Sequence, residues 1–210
     1  NNKKCIKYHK DPQFIRDRLE RIKFLPEQLT PEMLNYGANF FSYKYVEGEL
    51  LSKNSDIEFF GNFLDKISDK LWKNKADKFE KSIEFQKVFY RDKTLERVKL
   101  YLDRFDQKDK IKKINGKKVY LVCDVLEKFD WDKFYEGAIW SNFHGDLHGE
   151  NILVQDKNGF TLLDWRQNFG EQNYEYGDVY YDLAKLMHGL VVRHEIVAKN
   201  KFSTKHITED

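Results

Sequence analysis

Cysteine is scarce in this sequence: 210 residues contain two, Cys5 and Cys123, far apart and in no paired motif. That spacing argues against a disulfide framework or a four-ligand zinc centre, and a reducing, cytoplasmic setting is expected. Long hydrophobic runs are missing too. No stretch approaches the roughly 18 apolar residues that would suggest a bilayer span, and no signal peptide is visible. The chain opens on Asn1 rather than Met, so a preceding segment, and any targeting signal in it, is expected to lie outside this sequence. Charge of one sign is also lacking, since 37 Lys and Arg face 35 Asp and Glu. Such a balance exerts no general pull on nucleic acid or membrane. Neighbouring opposite charges, as in Asp65-Lys66 and Asp69-Lys70, read as solvated helix faces. Internal repeats and low-complexity tracts are absent.

What is present is a globular composition, 40% hydrophobic with 16% aromatic residues, enough to build a core. Residues 3 to 8 read as a short strand. Asp11-Pro12 starts a helix, carried by Phe14, Ile15, Leu19, Ile22 and Leu25 and stopped by Pro26. Phe40 to Val46 is aromatic and β-branched and reads as a strand, broken at Glu47-Gly48. From Asn54 the pattern turns helical. Ile57, Phe60, Phe63, Leu64, Ile67 and Leu71 make one apolar stripe, and Leu95, Val98, Tyr101, Leu102 and Phe105 a second. Charged residues 108 to 118 carry the turn pair Asn115-Gly116. Residues 119 to 134 read as helix, 151 to 154 and 160 to 163 as a hairpin around 156–159, and Asp178 to Val192 as a buried helix. The order predicts an α+β, two-lobed protein with a hinge near Glu47-Gly48. Residues 1–47 would form one lobe and 48–210 the other.

The informative stretch is His144-Gly-Asp-Leu-His-Gly-Glu-Asn151, followed by Asp164-Trp-Arg. Phosphoryl transfer needs a carboxylate to orient the attacking hydroxyl, and separate oxygen ligands to hold magnesium against the nucleotide phosphates. Asp146 has the order and spacing for the first role, Asn151 and Asp164 for the second. Hard oxygen donors suit magnesium better than a thiolate or imidazole set. His144 and His148 have the spacing of a zinc pair on a helix, but Gly145 and Gly149 speak against a helix there. His144 is instead expected to be a buried support for the loop.

These motifs resemble the aminoglycoside phosphotransferase and choline kinase group of the protein-kinase-like superfamily, with its His-Gly-Asp-x-x-x-x-Asn loop, Asp-Trp pair and Asp-Leu-Ala helix start, here Asp182-Leu-Ala184. The resemblance implies a kinase-like fold with an incomplete, β-rich small lobe and a mostly helical large one. It implies an ATP- or GTP-dependent kinase using Mg2+ and a small-molecule hydroxyl acceptor: a sugar, an amino-alcohol or an aminoglycoside-like compound. Asp146 would be the catalytic base, Asn151 and Asp164 the metal ligands, and Asp182 a brace behind the loop. Tyr45, Val46 and Glu47 would meet the adenine with their backbone. Lys7, with Lys4 as the competing choice, would contact the phosphates, and Glu20 would be its ion-pair partner. No Gly-rich loop precedes Lys7, and no His-Arg-Asp or Asp-Phe-Gly segment of a protein kinase occurs.

Three further features stay open at this level. Glu150 faces the acceptor or solvent. Arg166 meets an anionic group or a structural carboxylate. Trp140, Phe143, Trp165, Tyr174 and Tyr176 either box a quaternary ammonium or, the favoured reading, belong to the core. The alternative function is a nucleotide-binding pseudokinase or regulatory module.

Overall fold

The computed structural model describes residues 3–53, 56–73, 82–104, 113–155, 159–171, 173–192 and 194–203. In chain order its elements are β1 (Lys4–Tyr8), α1 (Pro12–Ile22), β2 (Met33–Tyr36), β3 (Phe40–Lys44), β4 (Glu49–Leu50) and α2 (Ile57–Lys70). There follow α3 (Ser82–Gln86), a π-helical turn at Lys87–Asp92, α4 (Lys93–Arg104), β5 (Lys113–Ile114), β6 (Lys117–Lys118), α5 (Val122–Lys128) and α6 (Trp131–Glu136). The chain continues through β7 (Trp140–Ser141), β8 (Ile152–Val154), β9 (Phe160–Leu162), β10 (Gly177–Asp178), α7 (Val179–Val191) and α8 (His194–Ala198). Helices thus mix with small antiparallel sheets, as an α+β chain should.

Aspartate starts four of the helices. The side chains of Asp11, Asp56, Asp130 and Asp178 accept from the backbone N–H of Gln13, Phe59, Lys133 and Tyr180. Each satisfies a donor that the first helical turn leaves open.

The first sheet runs in the order β1-β3-β2, all antiparallel, with Lys7 opposite Phe41. Alternation along β1 turns Cys5 and Lys7 inward and Lys4, Ile6 and Tyr8 outward. Residues 45–48 lead from β3 to β4, which pairs with β8 of the later hairpin. Apolar burial crosses this link without a break. Ile15, Phe41 and Tyr43 share one cluster with Leu51, Phe63, Ile67, Leu71, Leu147, Ile152, Leu162 and Trp165. Full burial of each such side chain contributes about 1.5–3 kcal/mol.

Several expectations need correction. β2 was not foreseen; Met33 to Tyr36 shows only one buried-leaning position along an exposed strand. The predicted helix over 119–134 is two helices, separated where Asp130 caps α6. The second apolar stripe does not enter the core: α4 buries no residue, and Leu95 and Tyr101 are exposed. Phe105 lies outside the described residues, as do positions 156–158 of the hairpin connection and 108–112 of the charged segment. α7 is buried on one face only, through Val179, Asp182 and Leu186, while Met187, Leu190 and Val191 are exposed.

Candidate active site

The loop 144–151 is held between two structures that the sequence places after it. The β8–β9 hairpin sets Ile152 opposite Leu162. The ladder is extended by Leu163 N–H donating to the Asn151 carbonyl at 2.8 Å, and Arg166 N–H donating to the His144 carbonyl at 3.0 Å. Residues 163–166 therefore lie along the loop, with Asp164 in the middle of the paired stretch. Asp164 has φ of 55°, a left-handed conformation that is uncommon for non-glycine residues but that Asp and Asn adopt more readily than most.

α7 supplies the second support. β10 pairs with β7, Gly177 opposite Ser141, and runs straight into α7. One turn later Asp182 is buried against the loop. Its carboxylate accepts from His144 N–H at 2.7 Å, Gly145 N–H at 2.6 Å and the Trp72 indole at 3.2 Å. Burial raises its pKa to about 6, against the pull of these hydrogen bonds and of Arg21. Arg21 is itself fully buried; it donates to the Phe143 carbonyl and lies 4.2 Å from the centre of the Phe143 ring. Gly145 has φ of +82°, and a Cβ there would sit 2.5 Å from the Arg166 Cβ and 2.7 Å from the Phe143 ring. Only glycine fits that crossing.

His144 is fully buried and accepts from Asp146 N–H through Nδ1 at 3.3 Å. Burial lowers it to about 3, so it is a neutral prop.

Asp146 and Asn151 are directly joined. The Asn151 amide nitrogen donates to the Asp146 carbonyl at 2.9 Å and to its carboxylate at 3.2 Å. That use of the nitrogen leaves the amide oxygen for a hard cation. The Lys185 ammonium lies 2.8 Å from the Asp146 carboxylate and the His148 ring nitrogen 3.7 Å. Burial works to raise the Asp146 carboxyl, but the neighbouring His148 and Lys185 outweigh it and hold the group below the usual carboxylate range.

Asp164 meets the first sheet. Lys7 Nζ lies 2.7 and 2.8 Å from its two oxygens, and Arg18 of α1 is 3.9 Å away. Lys4 sits on the outward face of β1, so the strand offers Lys7 alone to the loop. The expected Lys7–Glu20 pair does not form. Glu20 is exposed and pairs with Lys23 at 2.7 Å. α1 turns Ile15, Arg18 and Arg21 toward the interior, and Glu20, two residues from Arg18, falls about 200° around the helix. Of the three linker residues, Tyr45 donates its N–H to the Lys3 carbonyl at 3.1 Å, Val46 is half-buried and Glu47 is exposed.

The aromatic residues divide as core. Trp140, Phe143 and Trp165 are buried; Tyr174 donates its hydroxyl to Asp17 at 2.9 Å and Tyr176 packs on a cluster of Phe89, Trp140, Phe143 and Phe169. Sequence reasoning missed Lys185, which its spacing three residues after Asp182 on one helix face would have flagged. It also missed Arg18, Arg21 and Trp72, which no motif marks.

The model of the phosphotransferase enzyme family matches residues 131–198. No curated protein matches the chain. The matched segment runs from α6 to α8 and holds Asp146, Asn151, Asp164 and Asp182, but not Lys7 or the linker. The resemblance to aminoglycoside phosphotransferases and choline kinases is thus supported where the loop, the hairpin and α7 lie: residues 131–198 are similar to the phosphotransferase enzyme family.

Proposed function

We propose that the protein is a small-molecule kinase of two-lobed, protein-kinase-like architecture, moving the γ-phosphate of ATP or GTP to an alcohol. The Lys7–Asp164 ion pair carries the reading. It joins a strand of the first sheet to the hairpin exit, where a lysine that grips phosphates and a carboxylate that binds their cation need to meet. Asp146 would accept the hydrogen bond of the acceptor hydroxyl and orient its oxygen. Held well below the usual carboxylate range, it stays ionised and available at neutral pH. Lys185 steadies it.

Asn151 and Asp164 would hold Mg2+, which neutralises phosphate charge when bound. Among the described residues no group of three His, Cys, Asp or Glu side chains is gathered to hold a metal. A cation here would therefore rest on Asn151, Asp164, water and the phosphates, a donor set that magnesium accepts. Tyr45, Val46 and Glu47 would offer backbone groups to the base of the nucleotide. Lys7 would turn from Asp164 toward the phosphates as they arrive.

The test is nucleoside diphosphate release by the purified protein with Mg–ATP and a panel of alcohols, sugars and amino-alcohols. Asp146→Ala is expected to lower turnover by at least about a hundredfold with nucleotide affinity kept. Asp164→Ala should also abolish the magnesium dependence of nucleotide binding. Normal turnover by Asp146→Ala sinks the assignment. A rise in melting temperature with nucleotide, but no release with any acceptor, supports a nucleotide-binding regulatory module instead.

A further inference from the structure

A cavity of about 450 Å3 is lined by Phe89, Lys93, Arg166 and Asn168, together with Asp92 and Glu96. Arg166 packs against Gly145, one residue from Asp146. The two cations share the Phe89 ring. The Lys93 ammonium is 4.4 Å and the Arg166 guanidinium 4.6 Å from its centre.

Neither cation has a carboxylate within 4 Å among the described residues. Asp92 is taken by Arg91 at 2.8 Å, and Glu96 is exposed. Arg166 Nε is buried without a hydrogen-bond partner. Burial and the positive charges of Arg166, Arg97 and Lys185 all disfavour the protonated form of Lys93, with Asp146 opposing them. Tyr181 hydrogen-bonds the Arg166 side chain and Asp146 attracts both cations, yet two half-buried cations on one ring, one with an unmet donor, are an arrangement that a further anion would relieve.

We propose that this cavity receives an acceptor carrying its own anionic group, a phosphate or a carboxylate, which Lys93 and Arg166 grip while the acceptor hydroxyl faces Asp146. The inference rests on the kinase reading for the role of Asp146, and it narrows the acceptor to an acidic alcohol rather than an amino-alcohol or aminoglycoside. In the reaction, the hydroxyl oxygen bonds to the γ-phosphorus and the bridging P–O bond breaks. The nucleoside diphosphate leaves with that electron pair, and the hydroxyl proton passes to Asp146. Arg166 offers a planar fork suited to either anion, and Lys93 a point charge.

The experiment is calorimetric titration of the full chain, saturated with Mg–ADP, with a hexose 6-phosphate, a hexonate, the free hexose and choline. Saturation keeps the added phosphate from competing for the nucleotide site. At least one anion is expected to bind about tenfold or more tighter than hexose or choline, and either Lys93→Gln or Arg166→Gln should lose about that factor for the anion alone. Added salt should weaken the anion and leave the hexose unchanged. The proposal is overturned if neither anion binds, if hexose or choline binds as tightly, or if both variants keep wild-type affinity. Loss of nucleotide affinity in place of anion affinity would also overturn it, because the cations would then serve the nucleotide phosphates. Melting curves confirm that each variant folds. Mg–ADP affinity of the wild type, measured in the same titrations, tests the kinase reading separately.

Discussion

Lys93 holds its proton weakly. Burial first, then Arg166, Arg97 and Lys185, lower its pKa to about 7. It is charged below that value and neutral above it, so affinity for an anionic acceptor should fall as pH rises through neutrality. A bound anion favours the protonated lysine, and the midpoint in the complex should lie above that of the free protein. Lys93→Arg, which stays charged, should flatten the profile on the alkaline side; titrations at several pH values check this. The placement of Asp146, Asn151 and Asp164 about one loop was legible in the sequence, because they occur on one continuous stretch that a hairpin folds on itself. Glu20 was misread because lysines and glutamates are abundant, and the helical phase of α1 turns that one away. Lys93 carried no signal, since only the packing of Phe89 beneath Arg166 gives it a role.

At the scale of elements, α7 and the loop 144–151 form one unit through Asp182. Asp182→Ala would leave the His144 and Gly145 amides and the Trp72 indole without their acceptor, and the buried Arg21 without its countercharge. Removing one member of such a buried set costs about 3–5 kcal/mol, which urea unfolding would register as a lowered midpoint with little change in slope. Leu186→Ala, four residues along the same buried face, should cost about 2–5 kcal/mol without touching the loop's hydrogen bonds. The helical stripes of α1 and α2 and the Asp cap of α1 were readable because periodicity and capping are local. The exposure of α4 was not. An apolar stripe says that a face could be covered, and only tertiary packing decides whether it is.

Across the whole molecule, the link at residues 45–48 ties the first sheet to the hairpin. A Cβ on Gly48 would meet the Val154 carbonyl at 2.6 Å, a backbone atom that cannot swing aside. Gly48→Ala is therefore expected to destabilise the fold by about 1–3 kcal/mol. Part of the chain order was visible beforehand, without β2 or the division of residues 119–134 into two helices. The shared core was not, because Phe41 and Trp165, whose rings stack 5.8 Å apart, come from opposite ends of the sequence.

That long separation bears on how the protein is made. Lys7 and Asp164 are 157 residues apart. At ordinary translation speeds of about 5–20 residues per second, the lysine leaves the ribosome roughly ten to thirty seconds before the carboxylate it will meet. During that wait the newborn first sheet has no hairpin to rest on, and its inward face stands open to other chains.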